Sequence, residues 1–260
     1  MPEVFNYGDF DLVLTNAKTP VMILLDVSAS MDRPVDDISD EKPLCTKSID
    51  GQIINFYDTN KHETYFKRAL KALNKTLKAL KENEITNCSA DVCIMTYSDD
   101  VQNINDFSSL DEIDGKTPIE RGDNTNLPRA IDIALKTLDS RIERYKECGN
   151  EFYYPLLFII SDGESSCTSG LMTSLKRLNE RIFKRKVSLN IFELSENQKC
   201  DLYDHIYRKP FIKISDKIEE CFEFLDDDIA LPSGDERDDC CSMNKETNLD
   251  VEDWLDIKDI

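Results

Sequence analysis

The sequence predicts an α/β fold: a doubly wound, mostly parallel central sheet flanked by helices, with an inserted hairpin and an acidic C-terminal tail. Three observations predict it. The apolar runs VMILL at 21–25 and LLFII at 156–160 are bounded by polar residues and do not alternate, as expected of strands buried on both faces. Between such runs the apolar spacing changes to three and four, the period of a helix with one buried face. Strand and helix patterns then alternate along the chain, the order that builds a parallel sheet.

Residues 1–19 are a lead-in with little pattern, and the first strand falls at about 20–26. Residues 33–61 form an insertion. Within it, Leu44–Ile49 and Gln52–Tyr57 flank Asp50-Gly51, and Asp-Gly between two such runs is a strong hairpin signal. This hairpin either shapes partner choice or is a variable surface loop. Phe66, Leu70, Leu73, Leu77 and Leu80 mark an amphipathic helix over 63–83. Residues 90–97 give a central strand, with Cys93 as a small buried apolar residue, and Val101–Phe107 an edge strand. Pro128 suits the first turn of the next helix, whose stripe is Ile131, Leu135, Leu138 and Ile142. Strand 155–161, a basic helix at 170–186, strand 187–194, a short strand at 211–214 and a helix near 216–225 complete the main domain. The expected division is one domain over 1–225 and a tail over 226–260.

The tail opens with Asp226-Asp227-Asp228 and Asp235–Asp239, a composition that predicts disorder. Its end places Val251, Trp254 and Leu255 at helical spacing among acids. Such a segment either docks in a partner's groove or remains a solvated or folded-back terminus.

Composition narrows the function classes. The 260 residues carry a net charge of −20, which repels phosphate backbones and argues against a nucleic-acid partner. The same field raises the local concentration of divalent cations. Nine cysteines include no Cys-x-x-Cys pair, and His62 and His205 stand alone, so no zinc site is expected. With no opening signal peptide and no apolar run near the ~18 residues of a membrane span, the expectation is a cytoplasmic chain with free thiols and no membrane partner. A redox-sensing adaptor acting through Cys240-Cys241 is an alternative, although no nearby cation lowers either thiol's pKa.

The chemistry lies beyond the strand ends, where open α/β sheets bind ligands. Asp26, Ser28 and Ser30 follow the first strand, Thr125 lies in Gly122–Asn126 before a helix, and Asp162 ends the strand after Pro155. All offer oxygen alone, which suits Mg²⁺ or Mn²⁺ and not zinc or copper. Taken singly, the serines, Thr125 or Asn126 read as turn and helix caps, and Asp162-Gly163 as a turn.

Together and in this order, Asp26-x-Ser28-x-Ser30, Thr125 and Asp162 resemble the metal-ion-dependent adhesion site of von Willebrand factor A (vWA) domains, a Rossmann-like fold. The resemblance covers roughly residues 18–225. It implies Mg²⁺ (or Mn²⁺) held by Asp26, Ser28, Ser30, Thr125 and Asp162, with one position left for an acidic residue of a protein partner. Neutral hydroxyls leave such a metal electron-poor, so an added anion gains strongly. Asp123 and Glu164 flank this site, either as candidate partner contacts or as ordinary solvated acids, and Trp254 in the tail is a third candidate contact. The segment YYPLLFIISDGESS is similar to the bacterial TerY/YegL-like branch, associated with tellurite resistance and stress response. That likeness implies an assembly with kinase, phosphatase or AAA+ ATPase components. Ala29 stands where many relatives carry glycine.

An enzyme is the alternative from another class. A Mg²⁺-dependent phosphoryl-transfer enzyme with an aspartyl nucleophile needs a second aspartate two residues on, where this chain has Ser28. No phosphate-cradling G-x-x-x-x-G-K-[ST] occurs, and two scattered histidines support no nucleophilic triad. The sequence therefore predicts no catalysis.

Overall fold

The computed structural model describes residues 17–36, 42–49, 52–56, 61–113, 115–163, 170–184, 186–194 and 212–215. The strands are β1 (Thr19–Asp26), β2 (Cys45–Ile49), β3 (Gln52–Phe56), β4 (Ala90–Tyr97), β5 (Val101–Ser108), β6 (Leu156–Ser161), β7 (Ser188–Glu193) and β8 (Ile212–Ser215). The helices are α1 (Tyr65–Glu82), α2 (Glu84–Ser89), α3 (Leu127–Glu147) and α4 (Leu171–Phe183). Six strands form one sheet in the order β5-β4-β1-β6-β7-β8, parallel except for the β4–β5 pair. This is the doubly wound, mostly parallel architecture expected, with β5 the antiparallel edge. β2 and β3 pair antiparallel as the expected hairpin, with Ile49 opposite Gln52.

β1 lies between β4 and β6, and every residue of it is buried. The side-chain period of two divides it between the layers. Met22 and Leu24 join Ile131, Leu135 and Leu138 of α3 and Leu171, Leu175 and Leu178 of α4 on one face. Val21, Ile23 and Leu25 join Ala69, Ala72, Leu73 and Leu80 of α1 on the other. An unbroken apolar run is what a strand between two helical layers requires. The partners of its last residues set up the site: Asp26 is in register with Tyr97, and Leu25 with Thr96 and Ile160.

Local chemistry starts the helices. The Thr64 side chain accepts from Lys67 N at 3.2 Å at the head of α1. The Asn126 side chain accepts from Arg129 N at 3.3 Å at the head of α3, with Pro128 in its first turn. The sequence reading missed α2 and the two 3₁₀ turns at Ala29–Asp32 and Leu110–Glu112, all too short to show a period. Cys93 is fully buried, and burial pushes its thiol up to about 12, an inert core residue as expected. Among the described residues no helix is long and apolar enough to cross a membrane. The expected helix near 216–225, the tail 226–260 with Trp254 and Cys240-Cys241, and Glu164 lie outside the described residues.

Candidate metal centre

The carboxyl ends of the adjacent strands β1 and β6 bring Asp26 and Asp162 together, both at 0% exposure. Asp26 is bound on both oxygens: Ser28 N donates to Oδ1 at 2.9 Å and Ser161 Oγ to Oδ2 at 2.9 Å. Burial pushes the Asp26 carboxyl up to about 6. The bonds from Ser28 oppose that rise, and the neighbouring Asp162 charge adds to it. Two carboxylates buried side by side are poorly placed without a cation. Beside them the Ser28 and Ser30 hydroxyls lie 3.0 Å apart, with Ser28 fully buried.

For Ser28 the helix-capping alternative is not what the geometry uses. Ser28 occupies the position before the 3₁₀ turn, yet its side chain makes no capping bond. Asn126, by contrast, does cap α3. Ser161, which sequence reasoning passed over, accepts from Gly163 N at 3.0 Å while holding Asp26, a return the left-handed Gly163 (φ 86°) permits.

Thr125 is buried at 4% exposure on the loop leading into α3. That loop is fastened to both neighbours. Gly122 N donates to Val27 O at 3.3 Å and Asn126 N to Ser98 O at 2.8 Å. Asp99 accepts from Asp123 N at 2.8 Å and from the Asn124 side-chain amide, which holds the Asp99 carboxyl below the usual range. Asp123 itself is exposed, and its backbone serves this loop.

Two arginines complete the frame, and no pattern in the sequence signalled them. Arg121 donates to Val27 O and Ser28 O at 3.0 Å each, pairs with Asp32 at 3.0 Å and stacks 3.9 Å from the Phe66 ring centre. It clamps the Asp26–Ser30 loop by its backbone. Arg33 donates to Asp162 Oδ2 at 3.1 Å. Residues 129 positions apart in sequence meet in that pair, which only the strand order could bring about.

Gly122 is required by close approach. A Cβ there would lie 2.3 Å from Ser98 Oγ and 2.7 Å from both Ser98 Cβ and Asp99 Oδ2. Gly122→Ala is expected to lose about 1–3 kcal/mol by overpacking. It should also weaken divalent-ion binding by about tenfold, through displacement of the Thr125 loop. Melting in EDTA and a Mn²⁺ titration check the two effects separately.

The donor set fits a hard divalent cation. It offers two carboxylates and neutral hydroxyls, all oxygen. Among the described residues no three of His, Cys, Asp and Glu gather to make a zinc-type or all-acidic site.

An α/β domain with an oxygen-lined site at the carboxyl ends of its central strands is the class that fold and site define. The sequence model of the von Willebrand factor type A domain family matches residues 21–164, more than half of the chain, and the chain belongs to that family. A search among curated proteins finds no match. Among solved structures, the chain is similar to a point mutant of the PilB minor pilin from Streptococcus sanguinis. The TM-score is 0.51 at 13% identity, over 81% of this chain and 60% of that one. It is also similar to manganese-loaded Plasmodium vivax TRAP protein (TM-score 0.49, 13% identity, 80% of this chain and 71% of that one). The SpRpn10 VWA domain matches with TM-score 0.48 and 15% identity, over 79% of this chain and 94% of that one.

Proposed function

We propose that this chain is a metal-dependent protein-interaction module and not an enzyme. It would bind an acidic residue of a protein partner at the ends of β1 and β6. The observation that carries this reading is the pair of fully buried carboxylates, Asp26 and Asp162, set beside the Ser28 and Ser30 hydroxyls. Asp26, Ser28, Ser30, Thr125 and Asp162 would hold Mg²⁺ or Mn²⁺, and the bound ion would supply an attractive point for an anion. The chain's own residues keep that site in shape. Ser161 orients Asp26, Arg121 holds the first loop, and Asp99 holds the Thr125 loop.

The finer reading is a cytoplasmic component of a bacterial stress-response assembly of the TerY-like kind. Its partners would be kinase, phosphatase or AAA+ ATPase subunits. It rests on the similarity of the segment YYPLLFIISDGESS at residues 153–166. Asp123 is exposed beside the site and available to a partner; Glu164 and Trp254 are proposed contacts from sequence alone.

Affinity capture from native extract, with Mg²⁺ and with EDTA, tests the reading. Asp26→Ala and a variant truncated after Asp228 run alongside. A partner retained in Mg²⁺ and lost both in EDTA and in Asp26→Ala is the expected result. A partner indifferent to metal and lost on truncation would move the function to the tail.

A further inference from the structure

We propose that Arg33 is a built-in cation of this site, which competes with the metal for Asp162 and thereby sets metal affinity. This inference rests on the metal-site reading above. Asp162 is fully buried, and the guanidinium Nη2 reaches its Oδ2 at 3.1 Å, with the Arg33 side chain 43% exposed. The arm is anchored at several points. Arg33 N and Nε each donate to Ser30 O at 3.1 Å, Arg33 O accepts from Tyr65 N at 3.1 Å, and the guanidinium lies 6.0 Å from the Tyr65 ring centre. The backbone on either side is tied down as well: Pro34 bridges to Thr64, and Val35 N donates to Glu63 O at 2.9 Å. A positive charge is therefore delivered to the buried carboxylate from within the same loop that carries Ser28 and Ser30.

Asp26 and Asp162 are negative and Arg33 positive. Arg121, a second arginine at the site among the described residues, is matched by Asp32. The guanidinium thus offsets one of the two carboxylates. Two consequences have opposite sign. A divalent cation meets less negative charge and is held more weakly. An anion approaching the loaded site meets more positive charge and is held more strongly. A unit charge a few ångströms from a divalent ion, screened as in bulk water, changes its affinity by about tenfold.

The test is direct Mn²⁺ binding, followed by the free-ion electron paramagnetic resonance signal, on the full chain and on Arg33→Gln and Arg33→Lys. Thermal melts with and without Mn²⁺ accompany each titration. Arg33→Gln is expected to bind Mn²⁺ about tenfold more tightly than the parent, and Arg33→Lys to stay close to the parent. In EDTA Arg33→Gln should melt lower, because Asp162 loses the Arg33 guanidinium, yet it should gain more on adding Mn²⁺. A residue that only positions Asp162 would give the lower melt without the larger gain. Equal or weaker binding by Arg33→Gln, with the parent binding normally, overturns the proposal alone. Absence of binding in parent and variants alike would overturn the metal-site reading itself, and this proposal with it.

Discussion

Asp26→Asn is expected to remove the proposed divalent-ion binding while leaving the fold in place. Asp26 is fully buried at the end of the central strand, so the effect is confined to one group whose neighbours are known. The amide keeps the shape and can still accept from Ser28 N, but it brings no charge to the cation. In the parent, an ion at a hundred times its Kd stabilises the folded state by about 2.7 kcal/mol. For a domain of this size that is roughly 5–10 °C in Tm. The variant should show none of that gain.

Its melting in EDTA carries a second signature. The folded carboxyl titrates at about 6 and its ordinary value is 3.8, so the shift is upward. A raised acid leaves stability intact below about 3.8 and removes it progressively as pH rises to about 6, here on the order of 3 kcal/mol. Asparagine carries no such charge. In EDTA at pH 7 the variant should therefore melt at or above the parent, and the difference should close towards pH 4. Calorimetry at the two pH values, with and without Mg²⁺, reads both effects. A variant that still gains from Mg²⁺ would remove Asp26 from the ligand set.

Arg141→Ala should lower stability by about 3–5 kcal/mol without touching metal affinity. Asp91, at 5% exposure, receives Arg141 Nε at 2.6 Å and Nη2 at 2.5 Å, together with the Tyr145 hydroxyl. Arg141 also lies over the Phe107 and Tyr145 rings, at 5.4 and 5.0 Å. Removing it strands a buried carboxylate on one hydroxyl and strips the packing of the guanidinium as well. The pair fastens α3 to β4 at the end of the sheet opposite the site. Asp91 is in register with Pro20 and Tyr97 with Asp26, so the two ends lie about 20 Å apart along the strands. The expected outcome is a Tm lower by roughly 10 °C in EDTA and an unchanged Mn²⁺ Kd. A changed Kd would couple the two ends of the sheet.

Much of this protein was legible in its residues, for physical reasons that are local. VMILL followed by Asp26 announces a strand buried on both faces with a carboxylate at its end, because no solvent-facing strand tolerates an unbroken apolar run. Asp50-Gly51 marks the β2–β3 hairpin because few residue pairs accept the tight turn between two strands. The spacing of Leu70, Leu73, Leu77 and Leu80 marks α1 because one face must meet the sheet. Short elements such as Glu84–Ser89 escaped because six residues contain less than two turns of any period.

What the sequence by itself determined is therefore the class of fold, together with the candidate oxygen donors that the proposed site draws on. Strand order decided the rest. Setting β1 between β4 and β6 buries Asp26 beside Asp162 and gives Asp26 the hydroxyl of Ser161, 135 positions away. It also brings Arg121 onto the carbonyls of Val27 and Ser28, and Arg33 onto Asp162. These are contacts between residues remote in the chain, and nothing in their local sequence encodes them. The charge on the site, as distinct from its donors, is a property of tertiary structure, because it depends on which buried carboxylates and which arginines the sheet brings within reach of one another.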